Sequence, residues 1–327
     1  MKPPNIAGTP DSSEPLVVCV GETMAVVAPP ATESLAIAEE CLLGIGGAES
    51  NVATQLAELG IAVAWAGRVG RDAFGERILH TLAGRGVDVS RAEEDANAPT
   101  GVYFKEPDTG SGARTLYYRQ GSAASRMEPG DLTRWGLKTA PWVHISGITA
   151  ALSPGCRSFL EVLFDARTAS GAPISFDVNY RAALWSATDA APVLLELARR
   201  AEVVLVGLDE AGTLWECATA EDVARLLPEP AHLVVKDGGT EAVEFIRAPD
   251  GAEQIHRAPA RPVKIIEPVG AGDAFAGGYL AGLLRGATPG DRLSLGHSVA
   301  AWTLGTRGDY RPGHGLTAPR PPQTANH

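Results

Sequence analysis

Short apolar runs alternate with amphipathic stretches along most of the chain. The runs are rich in Val, Ile and Leu and have the length of buried strands; they lie at 16–20, 62–66, 142–145, 173–176, 203–206 and 232–235. Apolar positions at helical spacing predict helices at 48–59, 72–84, 155–169, 188–200, 219–227, 271–285 and 290–305. This alternation predicts an α/β fold with a central, mainly parallel sheet and helices on both faces.

Two regions interrupt the alternation and resemble hairpins with polar turns. They pair 23–27 with 34–38 and 101–105 with 114–118. We expect a small β-sheet inserted at about 22–40 and 98–120, which acts either as a lid over a site or as a plain edge hairpin. The remainder reads as a single domain over 15–310, between a loose tail at 1–14 and a Pro-rich tail at 311–327.

Composition narrows the function classes. The formal net charge of −11 disfavours a general nucleic-acid binder, because no basic block offsets it. The four cysteines lie far apart and the seven histidines form no ligand-spaced cluster, so we expect neither structural zinc nor a disulfide framework. No signal-peptide hydrophobic segment follows the N-terminus of the sequence, and no run approaches about 18 apolar residues. We therefore expect a cytoplasmic protein with no membrane partner.

The stretch 267–275 joins an apolar run to a predicted helix and carries the first candidate site. Gly270, Ala271 and Gly272 let the backbone approach a ligand closely, and the first helical turn offers unpaired N–H groups to an anion. Asp273 stands among them as a candidate base. A loop that stabilises a phosphoryl group, with a base to activate a hydroxyl, fits a small-molecule kinase. The alternative is a helix start with Asp as its cap.

A second glycine-rich stretch precedes the predicted helix 48–59. Gly46 and Gly47 would let a polyol lie against the backbone, with Asn51 binding its hydroxyls. A capped helix start is equally compatible with this stretch. A dinucleotide fingerprint fits poorly, because Glu49 stands where the third glycine belongs.

Together the two motifs resemble the two signatures of the ribokinase-like (PfkB) carbohydrate kinases, in the expected order. Residues 68–75 also resemble that family's Gly-x-Asp-x-x-Gly turn, and the resemblance spans roughly 16–309. It implies a ribokinase-like three-layer fold with a β lid and an ATP-dependent sugar kinase. Glu267 and Pro268 replace the usual Asp-Thr at the edge of the motif.

Within that family the chain looks most like the 2-keto-3-deoxygluconate kinases. The similarity lies in 46–51, 99–106, 117–125 and 177–181. It implies that Arg181 binds the carboxylate or keto end of a sugar acid. Arg119 and Tyr103 would cover the sugar from the lid side. Its hydroxyls would be bound by Gly46, Gly47 and Asn51. A surface salt bridge for Arg181 and a packing role for Tyr103 remain open.

The nucleotide side is implied by the resemblance alone. Lys236, Gly238 and Gly239 end a strand where the family contacts ATP, and His297 lies on the helix near the adenine. Glu210 matches the family's Mg²⁺ motif, although Gly207 replaces its Asn, so that Glu210 would reach the metal through water. Asp177 is a further polar candidate, and a monovalent cation is left open.

The expected partners are a sugar acid, ATP and, through the lid, a second copy of the chain. Three alternatives stay open: a kinase for fructose, ribose or the galacto epimer; a non-catalytic sugar or nucleotide sensor; and a nicotinamide-binding oxidoreductase.

Overall fold

A nine-stranded sheet forms the body of the protein in the computed structural model, which describes residues 16–30, 33–107, 114–306, 310 and 312–316. The described strands are β1 (Val17–Val20), β2 (Met24–Ala28), β3 (Leu42–Gly46), β4 (Val63–Gly70), β5 (Asp88–Asp95), β6 (Val102–Glu106), β7 (Arg114–Tyr118), β8 (Trp142–Ser146), β9 (Ile174–Asp177), β10 (Val203–Gly207), β11 (His232–Asp237), β12 (Glu241–Arg247) and β13 (Glu253–Pro259). The strand order in the nine-stranded sheet is β13-β12-β11-β10-β9-β8-β1-β4-β5.

The strands from β11 to β5 run parallel, and β12 and β13 add an antiparallel edge. The chain builds the sheet outwards from β1 in one direction and from β8 in the other, although these two strands are neighbours. Ligands of open α/β sheets bind at such a switch point, at the carboxyl ends of the strands.

Helices cover both faces of this sheet. They are α1 (Ala48–Glu58), α2 (Ala73–Gly84), α3 (Asp131–Arg134), α4 (Ile148–Leu152), α5 (Pro154–Ser170), α6 (Ala187–Arg199), α7 (Leu208–Trp215), α8 (Ala220–Leu226), α9 (Ala271–Leu284) and α10 (Pro289–Leu304). Side chains of β1 alternate between two cores: Val18 and Val20 pack with α5 and α6, whereas Val17 and Cys19 pack with α1, α9 and α10. The predicted three-layer fold is confirmed.

A second sheet of four strands, in the order β3-β2-β6-β7, is the predicted small β layer. The pair 101–105 and 114–118 is confirmed as β6 and β7, which run antiparallel. The strand predicted at 34–38 is wrong, because β2 pairs with β3 instead. Ser34 starts a turn there: its carbonyl accepts from the amides of Ile37 and Ala38, and its hydroxyl accepts from that of Ala36. Such side-chain bonding favours a turn over the apolar alternation.

Within the described ranges, none of the helices combines the length and apolar content that a membrane crossing requires.

Helices α9 and α10 pack closely because α9 is built largely of small residues. A Cβ atom added at Gly282 would lie 2.6 Å from Cβ and 2.9 Å from Cα of Arg292 on α10. A Cβ at Gly290, on the exposed side of α10, meets nothing within 4 Å. The two glycines thus form a matched pair, one against a helix backbone and one in open space.

We expect Gly282→Ala to lower the free energy of unfolding by about 1–3 kcal/mol, because α10 must move to admit the methyl group. Gly290→Ala should raise the free energy of unfolding by about 0.4–1 kcal/mol, because alanine lowers the conformational entropy of the unfolded chain. Urea unfolding of both variants measures the difference. A Gly282→Ala protein as stable as Gly290→Ala would contradict the close packing.

Candidate active site

A cavity of about 1050 Å³ opens at the switch point, between the carboxyl ends of the parallel strands and the second sheet. Many of the residues predicted to bind substrate or perform chemistry line it: Gly46, Gly47, Asn51, Tyr103, Arg119, Arg181, Gly270 and Asp273. The second sheet contributes a wall through Tyr103 and the segment 115–120. Its placement therefore fits a lid.

The glycine-rich turn before α9 forms one end of the cavity. Gly270 has a φ of +83°, a left-handed conformation that glycine adopts at little cost, and it turns the chain directly into the helix at Ala271. The amides of the first helical turn have no partner within the helix, and they carry the positive end of its dipole. This geometry is compatible with the predicted anion-binding turn at Gly270, Ala271 and Gly272, which stays a prediction.

Asp273 is the third residue of α9, and two asparagines hold its carboxylate. Asn51 on α1 donates from Nδ2 to one oxygen at 2.8 Å, and Asn179, just beyond β9, approaches the other at 3.4 Å. Asn179 adopts a φ of +41°, uncommon for a residue with a side chain. Asp273 is only 7% exposed yet lines the cavity. A hydroxyl bound there would meet a carboxylate beside an anion-binding turn.

Lys236 lies on the other side of the glycine turn. A Cβ atom on Gly272 would be 3.7 Å from its Nζ atom, and the ammonium donates to both oxygens of Asp177, at 3.1 and 3.3 Å. Burial disfavours its charge, but Asp177 and Glu210 outweigh burial and raise the pKa of Lys236. Lys236 therefore presents a permanent cation beside the anion turn.

These features accompany a clear similarity to known proteins. The profile of the pfkB family carbohydrate kinases matches residues 14–314. The chain belongs to this family. It is 35% identical over 271 residues to the 2-dehydro-3-deoxygluconokinase of Bacillus subtilis (strain 168), covering 81% of this chain and 82% of that protein. Family membership makes it a carbohydrate kinase and removes the oxidoreductase alternative.

Solved structures agree with the family. The crystal structure of a PfkB protein from Polaromonas sp. JS666 superposes with a TM-score of 0.80 at 33% identity, covering 88% of this chain and 95% of that one. A ribokinase II from E. coli, described as in complex with ATP and Mg²⁺, shares the fold with a TM-score of 0.78 at 21% identity, covering 90% and 94% of the two chains. The ribokinase-like architecture is thereby confirmed.

The predicted nucleotide residues fall into two groups. Gly238 and Gly239 form an exposed turn between β11 and β12, next to Lys236. His297 is buried on α10 instead, where Nε2 donates to the carbonyl of Ala258 at 3.0 Å and the ring meets Phe275 edge-on. Burial lowers the pKa of His297, which favours the neutral ring. A nucleotide role for these residues stays a prediction.

Glu210, the predicted metal residue, lies in the first turn of α7. Its oxygens accept from the backbone amides of Gly207 and Tyr180, each at 2.8 Å, and burial raises the pKa of the carboxyl. Among the described residues no group of three His, Cys, Asp or Glu side chains is arranged to hold a metal. Mg²⁺ commonly relies on few protein carboxylates, several waters and the phosphates of its nucleotide. Because amides occupy both oxygens, the donor set fits a contact of Glu210 with the metal through water.

The two candidate arginines differ in their surroundings. Arg119 is ion-paired with Glu22, and its Nε donates to that carboxylate at 2.7 Å. The Arg181 side chain is exposed at the cavity and forms no hydrogen bond or ion pair within the described ranges, although its charge acts on the carboxyl of Glu210. A guanidinium without a direct ion pair attracts an anion more strongly than one that is already paired. Arg181 is thus the better placed to meet a carboxylate.

Glu267, where the chain departs from the family signature, reaches the second sheet. It forms an ion pair with Lys105 on β6, with both side chains mostly buried. The loop before the anion turn is thereby tied to the lid.

Sequence reasoning missed three acidic or amide side chains of the site. Glu22 and Asn179 directly follow strands β1 and β9, and Glu49 lies inside the second glycine motif. Glu49 accepts from the amide and hydroxyl of Ser146, while burial raises its pKa to about 7. For Glu22 and Asn179, the position after parallel strands was the available signal.

We expect Asp273→Asn to lower turnover by about 10²–10⁴-fold, because the amide cannot accept the proton of the acceptor hydroxyl. Sugar binding, followed by calorimetry, should persist. The surface variant Asp165→Asn serves as a control, since Asp165 lies on α5 and pairs with Arg200. Near-normal turnover by Asp273→Asn would remove Asp273 from the role of base.

Proposed function

We propose that the protein transfers the γ-phosphoryl group of ATP to the terminal hydroxyl of 2-keto-3-deoxygluconate, which gives the 6-phosphate. One observation carries this proposal: Asp273, the anion turn and Arg181 face the same cavity. The named relative from Bacillus subtilis supports the choice of substrate. A keto-deoxy sugar acid has a hydroxyl at one end and a carboxylate at the other, and so matches both ends of this site.

In the proposed reaction Asp273 accepts the proton of the hydroxyl while its oxygen attacks the γ-phosphorus in line. The bond to the leaving oxygen breaks and ADP departs. Amides of Gly270, Ala271 and Gly272 stabilise the charge on the transferring group, and Lys236 adds a fixed cation nearby. Asn51 and Asn179 keep the carboxylate oriented toward the hydroxyl.

The proposed substrate contacts follow the walls of the cavity. Arg181 offers a bidentate contact to the carboxylate. Gly46 and Gly47 expose backbone to the sugar hydroxyls. Tyr103 forms the wall on the lid side, and the centroid of its ring lies 5.6 Å from that of Tyr117. The sugar would lie between the sheets, shielded from water by the lid.

The proposed donor is ATP with Mg²⁺, bound beside Lys236, Gly238 and Gly239, with His297 toward the adenine. When bound, the metal neutralises and orients the phosphates. The related ribokinase II with ATP and Mg²⁺ supports this donor. We propose that the site lies within a single domain spanning 15–310. Because ATP is the proposed donor, the reaction would take place in the cytoplasm.

The experiment is a panel of acceptors in a coupled assay for ADP release, with 2-keto-3-deoxygluconate, its galacto epimer, fructose, ribose and gluconate. We expect the keto-deoxy acids to give by far the highest kcat/KM. Arg181→Ala should lower that value by about 10–100-fold for the acids, the loss of one charge-assisted contact. It should leave any slow turnover of neutral sugars unchanged.

A neutral sugar as the preferred substrate would keep the kinase mechanism and reject the sugar acid. If none of the acceptors in the panel gave ADP release, a non-catalytic member of the fold would be favoured.

We further propose that the lid pairs with the lid of a second copy. Its edge strands β3 and β7 expose apolar side chains, among them Leu42 at 62% and Leu116 at 44%. Exposed apolar patches on sheet edges favour association.

Sedimentation velocity should show a wild-type dimer that Leu42→Glu converts to monomer, because a buried charge opposes the contact. Val162→Glu on α5, at a position 39% exposed, is the matched control and should remain dimeric. A wild-type monomer at micromolar concentration would contradict this proposal.

A further inference from the structure

The chain crosses between the two sheets four times, and the crossings meet around one residue. They lie between β1 and β2, between β3 and α1, between β5 and β6, and after β7. Glu22 belongs to the first crossing, is 3% exposed and lines the cavity. A buried carboxylate needs partners, because leaving it unpaired costs several kcal/mol.

Glu22 takes its polar partners from the last crossing. Arg119 donates from Nε at 2.7 Å and also pairs through Nη2, while the hydroxyl of Ser122 donates to the other carboxylate oxygen at 2.6 Å. The guanidinium of Arg119 also lies 5.7 Å from the ring of Tyr117. Glu22 therefore fixes both ends of the segment by which the chain leaves the lid.

The other two crossings pack directly against Glu22. A Cβ atom at Gly47 would lie 2.2 Å from the carbonyl oxygen of Glu22, and one at Gly101 would lie 2.8 Å from its Oε1. Both positions are glycines, which leaves room for this approach. The crossings that connect the lid to the body thus converge on Glu22, on its carboxylate and, at Gly47, on its backbone carbonyl.

The pair also decides what Arg119 can offer a substrate. Its charge is compensated, but its five N–H donors are not all used by one carboxylate. Arg119 can therefore donate hydrogen bonds into the cavity without adding net positive charge, whereas the charge of Arg181 is not neutralised by an ion pair. Loss of Glu22 would change both the charge and the orientation of Arg119.

We propose that Glu22 is a positioning residue that holds Arg119 in the wall of the cavity and so sets the affinity for the sugar acid. This inference rests on the proposed function for its kinetic part. It makes a specific demand: the effect of Glu22 on substrate binding must pass through Arg119.

The test is a double-mutant cycle of Glu22→Gln, Arg119→Gln and the double variant, assayed with 2-keto-3-deoxygluconate and ATP. We expect Glu22→Gln to raise KM about 10–100-fold, the loss of a charge-assisted hydrogen bond, with a much smaller change in kcat. In the Arg119→Gln background, Glu22→Gln should raise KM no further. Glu22→Asp, which keeps the carboxylate, should recover part of the affinity.

A wild-type KM for Glu22→Gln would overturn the proposal. So would effects on KM that multiply in the double variant, because Glu22 would then act independently of Arg119. Glu229→Gln, which disturbs an exposed ion pair with Arg199, is the matched control and should match the wild type.

Thermal unfolding of the same four proteins separates this proposal from the proposed function. Each single variant leaves one buried charge uncompensated, so each should melt lower than the double variant. If the wild type turns over no sugar acid, the proposed function fails, yet this cycle still tests the pair. If the decrease in melting temperature of the double variant equalled the sum of the decreases of the two single variants, the proposed coupling of Glu22 and Arg119 would be overturned.

Discussion

The carboxylate of Asp273 at the start of α9 is the point on which the site depends. A helix N-terminus attracts anions, and placing a carboxylate there serves catalysis only if its direction is fixed. Asn51 from α1 and Asn179 from the end of β9 supply that direction, from positions 222 and 94 residues away along the chain. The three-layer fold brings the three elements together, so the geometry of the proposed base depends on the whole sheet.

Compensation of charge organises the rest of the cavity. Lys236 is balanced by Asp177, and Arg119 by Glu22, each pair in largely buried surroundings where isolated charges are costly. The glycine turn and Arg181 remain available to anions, one at each functional end of the proposed substrate. Such a site favours anionic groups at particular positions, because an anion is attracted most strongly where no protein carboxylate already pairs with the positive group.

Local pattern was enough for the body of the fold because its strands are buried on both faces and its helices are periodic. The edge strands β5 and β13 escaped prediction, since their charged, half-buried or exposed residues lack that signal. Strand β12, between β11 and β13, also escaped it, because charged residues interrupt its buried apolar positions. The glycine motifs were readable for a similar reason: backbone approach depends on neighbours in sequence. The partners of Arg119 and Asp273 were not, because Glu22 and Asn179 come into contact with them only after folding.

The exchange of the family's Asp-Thr for Glu267-Pro268 illustrates how such a departure can be absorbed. Glu267 ends in an ion pair with Lys105 of the lid, so the loop that presents the anion turn is held by the second sheet as well as by the body. The lid is then linked to the loop before the proposed anion turn through Lys105 on β6, and to the proposed sugar site through Glu22 and Arg119. A lid held at two such points could exclude water from the transferring group and still carry the side chains proposed to contact the sugar.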